Sequence, residues 1–329
     1  MTAVDTSEPP ADVEPDGAQE PPGRMRRVLD RLRRLGRGWH DRRSSPRRPL
    51  SPVASGVRWS LACLALIGVW VLLYAFVLSG VQEARTQAAY YATLRQALAE
   101  ATAPIGGAIE PGSPVLLLDA PTAGLDNTVV VQGTTSSALT SGPGHLASTV
   151  LPGQQGVSVI LGRSVTFGAP FKSISAMHPG DAVTVTTGQG VFTYHVDRVR
   201  YPGDPLPPPV GANTSRLTLV TEVASGWRSG WAPASTVYVD ATAQGSAIQP
   251  APPGRVASVA LDEQPMQGDA SSLVMLVLWL QAMIGAVAVG VWGRARWGTW
   301  QTWLIVCPLL LACLWGATQS AIVLLPNLI

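Results

Sequence analysis

Residues 182–198, AVTVTTGQGVFTYHVDR, decide the fold class. Two runs of alternating apolar and polar side chains flank Thr187-Gly188-Gln189-Gly190, whose glycines suit a tight reversal. The stretch therefore predicts a β-hairpin with one face on a core. Outward from it, short β-branched runs recur at 115–118, 127–131, 157–161, 217–221 and 237–240, separated by Gly, Pro, Asp and Asn. No helical period intervenes, so residues 105–243 are expected to form a mainly β, antiparallel barrel or sandwich around one core.

The flanks have a different texture. Of 329 residues, only 13% are charged and 47% are hydrophobic, against roughly 25% charged in an average soluble domain. Residues 59–82 and 270–293 carry no charge, and 303–325 form a third apolar body; each is long enough to cross a hydrocarbon core of about 30 Å as a helix. Residues 1–23 are acidic and proline-rich, which suits a disordered tail, and 24–58 hold twelve of the 22 arginines. Arginines directly before an apolar run fit the positive-inside bias and an anionic lipid surface rather than nucleic acid. Arg294 and Arg296 lie in the short 294–302 link, beside Trp292, Trp297, Trp300 and Trp303. The expected topology has three spans in the cell membrane, a cytoplasmic tail at 1–58, an extracytoplasmic segment at 83–269 and a cytoplasmic link.

Residues 83–104 read as a stalk helix with an apolar stripe through Tyr91, Leu94 and Leu98, and 244–269 as a Pro/Gly-rich tether. Ala282, Ala286 and Gly290 form a small-residue face expected to meet the other spans. All three cysteines, Cys63, Cys307 and Cys313, fall in the apolar runs. That excludes a disulfide framework and a four-thiolate zinc site, and leaves no thiol in the external segment to act as a nucleophile. Four scattered histidines point to no metal, and no cofactor motif is present.

The β-segment resembles a known family. Gly142-Pro-Gly-His145, 149–156 (TVLPGQQG) and 159–171 (VILGRSVTFGAPF) look like the central block of actinobacterial class E sortases. The pieces 125–133, Pro179-Gly180-Asp181, 192–196 and 217–221 fit in order around it. Sortases are membrane-anchored cysteine transpeptidases with an eight-stranded β-barrel that join secreted proteins to the cell wall or to pilins. The resemblance implies a sortase-like antiparallel barrel, here with an N-terminal anchor and an added C-terminal two-helix transmembrane hairpin. Among the partners it implies are a sorting-signal peptide, an active sortase or an envelope-assembly protein.

Carried over residue by residue, the family's catalytic histidine falls on Arg163, its cysteine on Glu222 and its arginine on Thr236. Arg228 is a candidate substitute cation. An arginine cannot shuttle protons near neutral pH, and a carboxylate cannot form a thioacyl intermediate. Arg163 and Glu222 are expected to form a salt bridge that plugs the site; the alternative is two unrelated charges. His145 is expected to stabilise its turn, and Phe167, Ala169, Pro170 and Phe171 to wall a groove. Three functions stay open: a catalytically inactive binding module, an enzyme with altered chemistry centred on Glu222, and a structural subunit of a membrane complex. A two-carboxylate hydrolase pairing Glu222 with Asp240 or Asp197 is a further, weaker reading.

Overall fold

The computed structural model describes residues 52–223, 235–249, 263–265, 267–268 and 272–328. Residues 1–51, Arg228 and most of the 244–269 tether lie outside the described residues. The chain falls into two compact units, Met1–Cys63 and Leu64–Ile329. In the first, the described residues are helical from Pro52.

Eight strands close into a barrel: β1 (Pro114–Ala120), β2 (Leu125–Gln132), β3 (Gly144–His145), β4 (Gly156–Leu161), β5 (Ala182–Thr187), β6 (Gly190–Arg200), β7 (Ser215–Val223) and β8 (Ser235–Ala243). Their order around the barrel is β1-β2-β3-β4-β7-β8-β6-β5. The opening hairpin is β5–β6, with Thr187 opposite Gly190. Two pairings depart from a purely antiparallel barrel, because β2–β3 and β4–β7 run parallel. The chain leaves β4, makes the β5–β6 hairpin on the far side and returns as β7, a connection long enough to bring a strand back in the same direction. Alternate side chains from the strands, among them Leu116, Leu118, Ile160, Val183, Val185, Tyr194, Leu217, Leu219 and Val239, fill the interior.

Four α-helices are described: α1 (Pro52–Leu73), α2 (Ser79–Ala99), α3 (Ser272–Arg296) and α4 (Thr299–Val323). A π-turn at Tyr74–Leu78 joins α1 to α2 without a break. Among the described residues three helical stretches are long and apolar enough to cross a membrane: Leu64–Ala99, Ser272–Arg296 and Thr299–Val323. The stalk stripe packs on the barrel, where Leu94 is buried with Leu117 and Val129 and flanked by Tyr91 and Leu98. Gln87 fixes the register. Its carboxamide donates to Val129 O at 3.0 Å and Ser141 O at 2.7 Å and accepts from Val129 N–H at 2.8 Å.

Close approach of α3 and α4 depends on small residues. A side chain at Gly316 would strike the Trp279 ring, and one at Gly290 would meet Val306. Ala286 is buried but Ala282 is exposed, so the expected small-residue face is shorter than its sequence spacing suggests. Trp70 of α1 donates to Thr318 of α4 at 3.1 Å, and Tyr74 meets Trp315 edge-on at 5.1 Å.

Candidate functional site

The site stands at the end of three adjacent strands. In the parallel β4–β7 pair Leu161 lies beside Val220, and the ladder continues through Gly162 N–H to Val220 O at 3.0 Å. In the β7–β8 pair Glu222 lies opposite Thr236. Arg163, directly after Gly162, thus shares one end of the barrel with Glu222 and Thr236. Gly162 is required there because the Phe171 ring occupies the space a Cβ would take.

Arg163 is fully buried, and burial lowers its guanidinium to about 9, still charged at neutral pH. Its Nη2 donates to Ser136 O at 2.9 Å and Ser136 Oγ at 2.8 Å. Nε donates to Leu139 O at 3.2 Å, and Nη1 to Thr166 Oγ1 at 3.2 Å. The Phe167 ring lies 5.0 Å beneath it. The guanidinium therefore joins the 136–139 loop to the 163–171 loop.

This geometry corrects the expected salt bridge. The ion pair between described residues is Arg200–Asp240 at 2.6 Å, and none joins Arg163 to Glu222. Their backbones are neighbours, but the arginine turns toward loop carbonyls. Glu222 is buried, its Oε2 has no hydrogen-bond partner, and desolvation raises its carboxyl to about 7.

The two-carboxylate alternative also fails on geometry. Asp240 is held by Arg200 and by Thr218 Oγ1 at 2.8 Å, while Asp197 accepts from Thr242 at 2.7 Å. The strand positions opposite Glu222 and Thr218 are Thr236 and Asp240, so four residues, about 13 Å of strand, separate the two acids along the sheet.

The expected groove wall divides. Phe167 is buried against Tyr74 and Ile322, and Phe171 belongs to the barrel core. Ala169 and Pro170 instead line a cavity of about 470 Å³ with Glu83, Gln87, Tyr91 and Lys172, between the stalk and the barrel. Aromatic residues next to Arg163 are consumed by packing because the loop reverses tightly, with Phe167 and Ala169 at positive φ of 50° and 48°. His145 is buried, with Nε2 donating to Val150 O at 2.9 Å and Nδ1 facing the Gln132 carboxamide at 3.1 Å. Burial lowers it to about 4, so it is a neutral brace for its turn. No group of three His, Cys, Asp or Glu side chains suited to a metal occurs among the described residues.

Beside this site lies a feature that sequence reasoning missed. The residues after α4 run along the outer face of β4 and β7. Leu328 is fully buried in a cluster with Leu139, Leu161 and Val220, edged by Val159 and Tyr238. The backbone is held as well, because Ser164 N–H donates to Leu328 O at 3.0 Å and Ser136 Oγ donates to Leu325 O at 3.1 Å. The available signal was Pro326, which ends a helix, followed by a lone carboxamide, Asn327, among leucines.

No curated protein matches the chain. A Clostridium perfringens sortase D5 transpeptidase is 21% identical over 49% of this chain and 99% of its own, with a TM-score of 0.41. Sortase E from Streptomyces avermitilis is 28% identical over 43% and 93%, at 0.34. A Clostridium perfringens sortase C with the C-terminal cell wall sorting motif is 18% identical over 50% and 90%, at 0.35. Residues 118–222, from β1 to the end of β7, match the sortase domain.

Proposed function

We propose that this chain is a membrane-anchored, sortase-fold protein that binds an extended peptide segment outside the membrane without sortase catalysis. The carrying observation is Glu222, a buried carboxyl with an unpartnered Oε2 at the strand-end position where the resemblance places the nucleophile. A thiolate there would attack a peptide carbonyl, and a nearby imidazole would pass the proton to the leaving amine. Arg163 stays protonated and its donors are committed to Ser136, Leu139 and Thr166. Thr236 offers a hydroxyl where an oxyanion would need a cation. The described cysteines, Cys307 and Cys313, lie in α4.

The biological setting in this reading is the cell envelope, with the N-terminus cytoplasmic and the barrel extracytoplasmic. Its partners are a sorting-signal peptide, an active sortase or an envelope-assembly protein, and anionic lipid lies at the Arg-rich segment. In-membrane cross-linking from the barrel tests this. Recovery of sorting-signal proteins, sortases or assembly proteins is expected, and recovery of none of these would overturn it. A second reading, an enzyme using Glu222 as a general acid or base, is favoured by a carboxyl that titrates near neutrality. It requires a peptide turnover that Glu222→Gln abolishes.

A further inference from the structure

We infer that residues 325–328 are a resident ligand of the peptide cleft, so the chain closes its own binding site and an outside peptide must displace this segment. The inference rests on the reading of the cleft as a peptide site, and deepens it by naming what the cleft recognises. Leu328 fills an apolar pocket formed by Leu139, Leu161 and Val220, and is fully buried. Asn327 is fully buried too, its Nδ2 donating to Thr134 O at 2.8 Å and Gln264 O at 2.9 Å. Its backbone N–H donates to Gln267 O at 2.9 Å. Leu325 O and Leu328 O are held by Ser136 Oγ at 3.1 Å and by the Ser164 N–H at 3.0 Å, with Ser164 Oγ donating to Leu328 O at 3.2 Å.

This pattern separates two kinds of recognition. Contacts to Leu325 O and Leu328 O read backbone, and carry no side-chain preference. The leucine pocket and the paired carbonyls facing the Asn327 carboxamide read side chains. The ligand class is therefore an uncharged peptide with a carboxamide immediately before a leucine. A charged residue in the leucine pocket would be desolvated without a partner.

The residues altered from the sortase pattern support this occupant. Arg163 donates to Ser136 Oγ, which donates onward to Leu325 O. Arg163 also holds Leu139 O, and so fixes the wall against which Leu328 packs. Arg163 is therefore a positioning residue for the closing segment. Because the segment continues directly from α4, its local concentration is of order mM, and an outside peptide of the same intrinsic affinity competes at a disadvantage.

The test uses the full chain in detergent micelles and a labelled synthetic peptide carrying residues 324–329, LLPNLI, with a scrambled peptide as control. Leu328→Asp should release the segment, tighten peptide binding about tenfold or more over the unaltered chain, and increase amide exchange at Ser164. Asn327→Ala should change both readouts in the same direction by less. If Leu328→Asp and the unaltered chain bind the peptide equally well, the self-closure is wrong although the peptide site stands. If neither binds it while Ser164 exchange rises in Leu328→Asp, the segment is packing only, and the peptide-site reading falls with the inference. Unchanged Ser164 exchange in both variants would also overturn the docking.

Discussion

Replacing Glu222 with glutamine removes a carboxyl that titrates inside the fold while keeping its shape. Burial raises this group from 4.5 to about 7, and its Oε2 has no hydrogen-bond partner. At about 1.4 kcal/mol per pH unit, the full shift corresponds to about 3 kcal/mol; solvent screening at the barrel end reduces the expectation to about 1–2 kcal/mol. Between 4.5 and about 7 the folded chain holds a proton that the unfolded chain has lost, so this group's contribution to stability falls as pH rises through that window and is fully present only below it. Glutamine cannot ionise. The Glu222→Gln variant should therefore match the unaltered chain near pH 4.5 and exceed it above pH 7 by about 1–2 kcal/mol, or about 2–6 °C in the unfolding midpoint.

His145, lowered to about 4, titrates with the opposite sign, its stability being lost as pH falls from 6.5, but it is common to both proteins and cancels in the difference. Thermal unfolding of the detergent-solubilised chain, followed by circular dichroism across this pH range, supplies the assay. A difference that is flat with pH, or a variant less stable above neutrality, would refute the reasoning by showing an ionised, partnered carboxylate.

Arg163→Met leaves the Ser136 and Leu139 carbonyls without this donor and should destabilise the chain by about 1–3 kcal/mol. Amide exchange at Ser164 should rise in the same variant, whereas an arginine uncoupled from the cleft segment would leave it unchanged. Gln87→Ala removes three hydrogen bonds between α2 and the barrel and should raise exchange at the Val129 amide, at a cost of about 1–3 kcal/mol; an unchanged Val129 would contradict the docking. Gly316→Leu drives a side chain into Trp279 and should lower stability by about 1–3 kcal/mol, while Gly68→Leu, with open space around it, should not; equal effects would overturn the α3–α4 packing.

Strands with clear alternation were legible in the sequence, because a half-buried strand needs a two-residue period. The 182–198 hairpin appears with its turn in place. β3 was not legible, since two residues, Gly144 and His145, carry no period. Parallel pairing of β4 with β7 was equally hidden, because side-chain alternation fixes which face is buried and not strand direction. At the site, backbone proximity of Arg163, Glu222 and Thr236 followed from strand positions, but the guanidinium's direction depended on Ser136 and Leu139 in a loop that no motif marks. The same limit hid Leu328, whose partners lie on three separate segments of the barrel.

The most direct measurement of the central claim is the fate of a bound peptide. The Leu328→Asp chain, incubated with a sorting-signal peptide and an amine acceptor, is followed by fluorescence for binding and by mass spectrometry for products. Saturable binding with the peptide recovered intact, unchanged by Glu222→Gln, is the result the account predicts. Cleavage or ligation above the buffer control, lost in Glu222→Gln, would contradict it and establish Glu222 as the centre of an altered catalyst.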